Sequence, residues 1–472
     1  MLVIKKNIIT QLIAIAIGVL VSFQPFLPPI ILLGLAFLLL SVKYTIPAFF
    51  TGLLFIVIEG FVSSFFTSPL IIDAIGLIPE IIFFDVLAVL FIKRKFSIPN
   101  FNLYDYILLL LISWSIFISL FQHGDLFLTA FGFRLLFRFI LIYWIVKMLN
   151  VKKEDFLEQV SRFLIVIVFI ESGLALFQVL GKVLIGPAHW NTFGNNLIMS
   201  TSVFGVQGTF NRYDMLGMFL GFSSIVILGY YLFYRKTKIY LIAYLAALFG
   251  VFVSTSRQAI IISIIGALVL FLSPIKRALK VKIAFISVYI IVFGGLLLKL
   301  IVPDIGLTSE GRNPIELFFS LFDSSTYSTE KHENFRLYFI TVIGSWLTEN
   351  HFWGMGLGTF GATFSFEQFE WLYLSLGLND NFSNYIADVN WISILGQIGV
   401  IGLVGFCLFL LIFFFKSIYK GSVQSNGILL IASAIALTWM ISGLFGPNFE
   451  IKSNAMFFWL FLGLALKKEQ NQ

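Results

Sequence analysis

The chain has 472 residues, of which 59% are hydrophobic and 12% are charged, whereas a typical soluble domain has about 25% charged residues. This composition excludes a water-soluble globular fold. The formal charge is +7, but the basic residues are spread over many short segments, which excludes the basic surface of a nucleic-acid-binding domain. The single cysteine, Cys407, excludes a disulfide within the chain.

Apolar runs of about 20 residues, the length of a helix that crosses a bilayer, recur along the chain with short polar breaks between them. They predict an all-α polytopic membrane protein with about 14 transmembrane helices, and at least about 12. The predicted spans are residues 7–23, 26–42, 44–64, 69–92, 104–121, 127–148, 157–180, 214–233, 237–254, 257–274, 282–302, 389–415, 427–443 and 453–466.

Lysine and arginine residues accumulate in alternate connections between these spans, which is the pattern of connections that face the cytoplasm. The alternation holds along the whole chain and predicts that both termini are cytoplasmic. The basic groups are Lys5 and Lys6, Lys43, Lys93 to Lys95, Lys147 with Lys152 and Lys153, Arg235 to Lys238, Lys276 to Lys282, Lys416 and Lys420, and Lys467 and Lys468.

Two long connections lie on the opposite, outer side. The larger one has an amphipathic pattern over residues 333–348, which predicts a helix, and a glycine-rich turn at 354–358. We therefore expect it to be ordered. The predicted organisation is N-terminal transmembrane helices at 1–180, a first outer loop at 181–213, central transmembrane helices at 214–302, a large outer loop at 303–388 and C-terminal transmembrane helices at 389–472.

Arg134 and Arg138 lie one helical turn apart in the sixth predicted span, among phenylalanine, leucine and isoleucine residues. An arginine near the bilayer centre costs roughly 2.5 to 3.5 kcal/mol on insertion scales, so it normally faces protein or water. One interpretation is contact with a substrate. The other is a structural ion pair with an intramembrane acid, and the candidates are Asp73, Glu80, Asp85 and Glu171.

Three further arginines are predicted at the outer side. Arg212 ends the first outer loop, Arg257 lies in the tight turn between two spans, and Arg336 lies on the predicted loop helix. Each arginine, considered alone, can be explained as a helix-capping residue or as a side chain that extends to the membrane surface. Together they favour an anionic site, because guanidinium is always protonated and binds phosphate oxygens in pairs.

Other classes of site have little support in the sequence. There is no Walker loop, no Rossmann glycine pattern and no HExxH zinc motif, and the histidines do not have ligand-like spacing. The glycine-rich run at 354–358 precedes no phosphate-binding strand and helix, so we interpret it as a turn. We predict no metal and no cofactor. The four histidines are His123, His189, His332 and His351.

Four segments between about residues 200 and 405 resemble the O-antigen ligase and polymerase superfamily of bacterial membrane enzymes. They are Gly-Thr-Phe-Asn-Arg at 208–212, Ser-Thr-Ser-Arg at 254–257, Asn-Phe-Arg at 334–336 with His-Phe-Trp-Gly-Met-Gly-Leu-Gly-Thr-Phe at 351–360, and Asp-Val-Asn-Trp-Ile-Ser-Ile-Leu-Gly-Gln-Ile-Gly-Val-Ile-Gly-Leu at 388–403. The last two segments are the most specific.

The last segment departs from the pattern of the ligases. Where ligases usually carry a His-Asn pair and a glutamate, this chain has Asp388 and Val389, and Gln397. The resemblance therefore favours a Wzy-type repeat-unit polymerase over a ligase. It implies the membrane-embedded C-type glycosyltransferase architecture, located in the bacterial cytoplasmic membrane with its active site facing outward.

The resemblance further implies a glycosyltransferase that uses undecaprenyl diphosphate-linked oligosaccharide as donor and acceptor, without a metal and with inversion. Arg212, Arg257 and Arg336 are expected to bind the diphosphate, since fixed cations stabilise charge that develops on a leaving group. Asp388 is the candidate base, with Glu333 and Asp214 in reserve. The expected partners are this lipid-linked donor and acceptor, membrane lipid and a chain-length regulator protein, and not nucleic acid.

Three other hypotheses stay open. A secondary transporter or flippase also has many spans and buried charges. A peptidoglycan polymerase of the shape and division family shares a related architecture, but its sequence pattern is not evident. A non-catalytic scaffold explains the outer arginines least well.

Overall fold

The computed structural model describes residues 38–39, 41–93, 101–185, 205–210, 212–271, 338–361, 365, 368–376, 389–449 and 451–468. Within these ranges the secondary structure is helical and contains no β-strand. The all-α prediction is therefore confirmed for this part of the chain. The chain divides into two compact units, residues 1–98 and 99–472.

The first unit contains two described helices, α1 (Thr45–Ser63) and α2 (Pro69–Lys93), which pack against each other. The Lys93 side chain at the end of α2 donates a 2.8 Å hydrogen bond to Thr45 Oγ1 at the start of α1. The two helices therefore run antiparallel. A Cβ atom on Gly52 would lie 2.6 Å from the Phe83 ring, so the absence of a side chain there permits the close packing.

The second unit contains the remaining described helices. Several are short or bent, and all of them are apolar along most of their length or pack on apolar neighbours. They are α3 (Leu103–Gln122), α4 (Leu126–Leu136), α5 (Ile140–Met148), α6 (Lys153–Ile185), α7 (Tyr213–Phe233), α8 (Lys238–Ser254), α9 (Arg257–Phe271), α10 (Gly344–Asn350), α11 (Glu370–Ser375), α12 (Asn390–Gln424), α13 (Gly427–Ser442) and α14 (Lys452–Leu466).

Helix α7 lies at the centre of this unit and is buried along almost its whole length. It packs against α6, α8, α9, α13 and α14. Small residues allow these close approaches: a Cβ atom on Gly229 would lie 2.3 Å from Ile431 Cγ1, and one on Gly217 would lie 2.4 Å from Ser254 Oγ. The core of the unit is therefore a ring of helices around α7.

Six helices are long and apolar enough to cross a membrane, and a bent pair, α4 and α5, makes a seventh. Four more apolar helices, α8, α9, α13 and α14, have 10–17 residues. These helices agree with a membrane protein. The number of about 14 spans stays a prediction, because the predicted spans 7–23 and 282–302 and most of 26–42 lie outside the described residues.

The sixth predicted span, 127–148, is not one continuous helix. It is broken into α4 and α5, which are bent by 62°. Phe139 at the break has a φ of 62°, so the chain leaves the right-handed helical region there. Arg134 ends up in the last turn of α4 and Arg138 in the break itself. The two arginines therefore do not lie on one continuous helix.

The large outer loop is described only in part. Within the predicted helix 333–348, residues 339–343 form a π-helical turn that continues into α10. Phe339, Ile343 and Leu347 are fully buried and pack with Phe360 and Tyr373. This part of the loop is therefore folded against the rest of the second unit.

One end of the second unit gathers basic residues that the sequence assigned to one side. Lys147 on α5 forms a salt bridge with Asp105 on α3, with Nζ 2.6 Å from Asp105 Oδ2, and Tyr143 donates to the same carboxylate. Lys467 after α14 donates to the Val151 carbonyl at 2.6 Å. The start of α3 and the ends of α5 and α14 therefore meet at this end of the unit, which we call the basic end.

Candidate functional site

At the opposite end of the second unit, a glycine interrupts helix α12. Gly399 has φ 72° and ψ −177°, a conformation that is essentially restricted to glycine. The interruption leaves neighbouring backbone groups without their helical partners. We call this end of the unit the cleft end.

The freed backbone groups are paired by the glycine turn, residues 351–361, and by one side chain. A membrane-embedded backbone needs such partners because no water is available in the hydrocarbon region. The hydrogen bonds are Met355 N to Gly396 O at 2.8 Å, Gly356 N to Gln397 O at 2.9 Å, Val400 N to Phe352 O at 2.9 Å, and Trp114 Nε1 to Ile398 O at 3.0 Å.

The glycine turn also reaches the helices on its other side. Gly358 N lies 2.1 Å from where a Cβ atom on Gly132 of α4 would be, so only glycine at position 132 permits this approach. Leu357 N donates a 2.7 Å hydrogen bond to Ser119 Oγ on α3. The turn therefore joins the interrupted helix α12 to the region just before the break between α4 and α5.

A small cleft, which is partly open to solvent and has space for about one water molecule, lies between these elements. Among the described residues, none of those that line it is charged. They are Leu135, Leu136, Gly361, Asn390, Ser393, Gln397, Pro447 and Phe449. In sequence, Arg134 directly precedes Leu135, and Arg138 follows Leu136 by two residues.

Gln397 connects the glycine turn to α12. Its Oε1 accepts a 3.0 Å hydrogen bond from Gly358 N, and its Nε2 donates a 3.0 Å hydrogen bond to Ser393 Oγ. Ser393 Oγ in turn donates to the Gly361 carbonyl at 3.2 Å. An ionised glutamate at position 397 has no proton to donate to Ser393, so glutamine suits this bridging position.

Asn390 opens α12 at the edge of the cleft and is only 4% exposed. Its backbone N donates a 3.0 Å hydrogen bond to the Gly443 carbonyl, which fixes the start of the helix against the turn after α13. Its side-chain Nδ2 is buried and has no hydrogen-bond partner among the described residues. Buried polar groups are normally satisfied, so this amide is an exception.

The tip between α8 and α9 has the tight geometry that the sequence predicted. Thr255 takes a φ of 58°, and Ser256 Oγ accepts a 3.3 Å hydrogen bond from Ala259 N near the start of α9. Arg257 is the first residue of α9. The next residue, Gln258, lies against Gly446, which adjoins Pro447 of the cleft. The structure thus places Arg257 at the cleft end.

Arg212 and Asp214 form a pair with each other. Arg212 Nη2 lies 2.7 Å from Asp214 Oδ2, and Nε lies 3.0 Å from Oδ1. The Arg212 side chain is 45% exposed, and its residue precedes α7. Because Asp214 accepts both of these hydrogen bonds, it is held as a partner of the arginine.

The segment before Arg212 is held by polar side chains of α6. Thr209 donates to Glu171 through its backbone N at 3.0 Å and through its hydroxyl at 2.5 Å. Gly208 N donates to Gln178 Oε1 at 3.1 Å. Glu171, which the sequence offered as an ion-pair partner for Arg134 or Arg138, therefore holds this loop.

His123 packs against the glycine turn, since a Cβ atom on Gly356 would lie 2.7 Å from its Nε2. Its Nδ1 accepts a 3.0 Å hydrogen bond from Asp125 N. Burial lowers the pKa of His123, although Asp125 and the Leu357 backbone act in the opposite direction. Burial also lowers the pKa of His351. In the described part of the chain, no group of histidine, cysteine and acidic residues is placed to hold a metal.

The structure places only part of the predicted site. Arg336, Glu333 and Asp388 lie outside the described residues. Arg212 and Asp214 are brought together, and Arg257, Arg134 and Arg138 lie at the cleft end. Sequence analysis missed Asn390 and Gln258. The available signal was a neutral amide at the end of an apolar span, next to an aromatic residue (Trp391) or a charged residue (Arg257).

The chain matches no protein-family model and no curated protein.

Proposed function

We propose that the chain is a polymerase that joins undecaprenyl diphosphate-linked oligosaccharide repeat units at the outer face of the bacterial cytoplasmic membrane. In this proposal the chain has about 14 spans, a large outer loop and both termini in the cytoplasm. The basic end faces the cytoplasm and the cleft end faces outward. The repeat units build an O-antigen, a capsule or an exopolysaccharide.

The single observation that carries the proposal is the cleft end itself. Two interrupted helical regions meet there, with Arg134 and Arg138 at one interruption and Arg257 on the turn before α9. Irregular backbone at such a position is tolerated in a membrane protein where it is buried in protein or lines a cavity. Arginines at such an end of a membrane protein suit a ligand that carries a diphosphate.

The chemistry is a substitution at the anomeric carbon of the donor. A hydroxyl of the acceptor sugar attacks this carbon from the side opposite the diphosphate, so the configuration inverts. The bond between the anomeric carbon and the diphosphate oxygen breaks, and its electron pair stays on the diphosphate. The hydroxyl proton passes to a base, for which Asp388 is the candidate and Glu333 and Asp214 are the reserves.

Arginines contribute most in the transition state, because negative charge on the diphosphate increases as the bond breaks. Arg257 and Arg336 are the residues proposed to stabilise this negative charge. Arg212 joins them in binding the diphosphate, and Asp214 holds its guanidinium in place in the free protein. No metal or cofactor takes part in the proposed mechanism. A chain-length regulator protein is the proposed protein partner.

The test uses lipid-linked repeat units extracted from cells that lack this protein and the purified full chain in nanodiscs. Wild-type protein should produce a ladder of glycan lengths on a gel. Arg257→Ala should reduce the initial rate by about 10²- to 10³-fold, as the loss of one charge-stabilising donor does elsewhere. Arg162→Ala is the matched control, because Arg162 is an exposed arginine that pairs with Glu158 on α6.

A ligase-type glycan transferase is the nearest alternative, and it is favoured if single repeat units are moved to another lipid and no ladder forms. A transporter of lipid-linked glycans is favoured by one specific observation, the discontinuous helices α4–α5 and α12, since interrupted helices often form transport sites. If wild-type protein makes no polymer but moves the lipid-linked glycan across a vesicle membrane, the transporter hypothesis replaces the polymerase.

A further inference from the structure

Two arginines from different helices meet on one carboxylate. Arg162 Nη2 on α6 lies 2.5 Å from Glu158 Oε1, and Arg235 Nη1, which follows the end of α7, lies 2.9 Å from the same oxygen. The Arg162 and Arg235 side chains are 64% and 53% exposed. Glu154 and Asp155 lie farther back, in the first turn of α6, where the helix N terminus favours negative charge. One carboxylate therefore holds two exposed guanidinium groups side by side, with an excess of positive charge.

The position of this arginine pair along α6 corresponds to the boundary of a bilayer. Helix α6 starts at the basic end, where Lys153 Nζ donates a 3.4 Å hydrogen bond to the Ala465 carbonyl of α14. Residues 153–162 contain five charged side chains, whereas residues 163–181 contain one, Glu171. The apolar part of the helix begins directly after Arg162, which corresponds to the headgroup level of a membrane.

An exposed apolar stripe continues from Arg162 along α6. Val166 and Ile170 follow at intervals of four residues and are 57% and 51% exposed. Residues four apart lie on one face of a helix, so both side chains lie on the same face as the arginine. From Arg162 to Ile170 the helix rises about 12 Å, which is within the roughly 15 Å of hydrocarbon in one leaflet. A cationic pair above such a stripe is complementary to one phospholipid molecule.

The chain around Arg235 extends the same surface. Lys236 and Lys238 are exposed. The Tyr230 ring stacks on the Tyr234 ring with a centroid distance of 5.4 Å and lies 4.8 Å from the Tyr240 ring. Tyrosines are typical of the membrane–water interface, and basic residues close to it attract anionic lipids. The surface therefore favours a lipid with a net negative charge over a zwitterionic one, whose own cation would be repelled.

We propose that this surface binds an anionic phospholipid. The lipid phosphate accepts charge-assisted hydrogen bonds from Arg162 and Arg235, because guanidinium groups bind phosphate oxygens in pairs, and one acyl chain lies along Val166 and Ile170. A lipid rather than a soluble phosphate is the ligand, since the apolar stripe continues directly from the arginine pair. The surface begins at the basic end, away from the cleft end, so this binding takes no part in the proposed reaction and does not depend on the proposed function.

The test measures lipid binding to the purified full chain by native mass spectrometry, with dioleoylphosphatidylglycerol and dioleoylphosphatidylcholine as probes. Wild type should bind phosphatidylglycerol about tenfold more tightly than phosphatidylcholine. The double variant Arg162→Gln with Arg235→Gln should bind the two lipids equally. The matched control, Lys416→Gln with Lys420→Gln, removes two exposed positive charges from α12 and should keep the wild-type preference.

A second pair of substitutions, Arg162→Lys with Arg235→Lys, keeps both charges but removes the paired donors of guanidinium. Its preference for phosphatidylglycerol should lie between those of wild type and the glutamine variant. The lysine variant also tests the inference if the glutamine variant does not fold, which thermal unfolding reports.

Three outcomes overturn the inference. Equal affinity of wild type for the two lipids means that the stripe contacts bilayer lipid without selection. An equal loss of preference in the arginine and lysine pairs of glutamine substitutions means that only the net charge attracts the lipid. Displacement of phosphatidylglycerol by an equal concentration of glycerol 1-phosphate means that the arginines bind a soluble phosphate and that the apolar stripe contributes nothing.

Discussion

The basic end and the cleft end of the second unit differ in whether their buried polar groups have hydrogen-bond partners. At the basic end, Asp105 is fully buried and is satisfied by Lys147 and Tyr143. At the cleft end, α12 is interrupted at Gly399 and the Asn390 amide has an unused donor in the described structure. Buried polar groups are therefore paired with each other at the basic end, whereas a buried amide at the cleft end keeps a donor without a partner among the described residues.

The difference has a physical cause. A buried ion pair is costly to break, because removal of one partner leaves an uncompensated charge in a medium of low dielectric constant. A neutral amide without a partner costs much less, so a protein tolerates it more easily than an unpaired charge. Substitutions at the two ends should therefore change stability by different amounts.

The largest effect is expected at the basic end. Asp105→Ala should lower the free energy of unfolding by about 3–5 kcal/mol, because it leaves the Lys147 ammonium buried without its carboxylate. Chemical unfolding in detergent, followed by tryptophan fluorescence, measures the change. The matched control is the double variant Asp105→Leu with Lys147→Met, which removes both charges and should be closer to wild type. Equal destabilisation by the single and double variants would contradict this account.

The interruption of α12 is the next test. Gly399→Ala should lower the free energy of unfolding by at least about 1–3 kcal/mol, the cost of a backbone conformation that other residues avoid. The added Cβ would also lie 2.3 Å from the Trp353 carbonyl carbon, which displaces the glycine turn. Thermal unfolding and limited proteolysis within residues 351–361 report the two effects.

Gly173→Ala is the control for that substitution. Apart from the adjacent backbone of its own helix, no atom lies within 4 Å of the position that its Cβ would take, and Gly173 is inside helix α6. This change should stabilise the protein by about 0.5–1 kcal/mol. If Gly399→Ala behaves like Gly173→Ala, the interruption is not needed to hold the glycine turn.

The smallest effect is a pH dependence at the cleft end. Burial lowers the pKa of His123 in the folded chain, so the unfolded chain takes up a proton first as the pH falls below about 6.5. Stability is therefore complete above that pH and decreases as the pH falls toward the pKa of the folded chain. Protonation of Nδ1 also removes the acceptor for Asp125 N.

The matched variant is His123→Asn, whose amide oxygen accepts a hydrogen bond at every pH. Thermal unfolding temperatures between pH 7.5 and pH 5 should fall less steeply in this variant than in wild type. Some slope should remain, because burial also lowers the pKa of His351. An unchanged slope would show that His123 does not contribute.

The helical class, the apolar helices and the place of the tight turn at Arg257 could be predicted from the sequence. These follow from local rules, since a run of about 20 apolar residues has to satisfy its backbone within a helix. The turn at residues 354–358 was also predicted from the sequence, because alternating glycines favour backbone with positive φ. Arg212 and Asp214 are two residues apart, so their salt bridge could also have been predicted from the sequence.

The positions where helices are interrupted, and the polar groups that lack hydrogen-bond partners, depend on how distant segments pack and could not be predicted from the sequence. No proline or glycine near Phe139 indicates the break there. The break at Gly399 is stabilised by hydrogen-bond partners more than 40 residues away in sequence, such as Phe352. The backbone hydrogen bond of Asn390 depends on the turn at 443–449, which no local pattern specifies. Hydrogen bonding between distant segments is a property of the packed chain, and for this reason the cleft was not visible in the sequence.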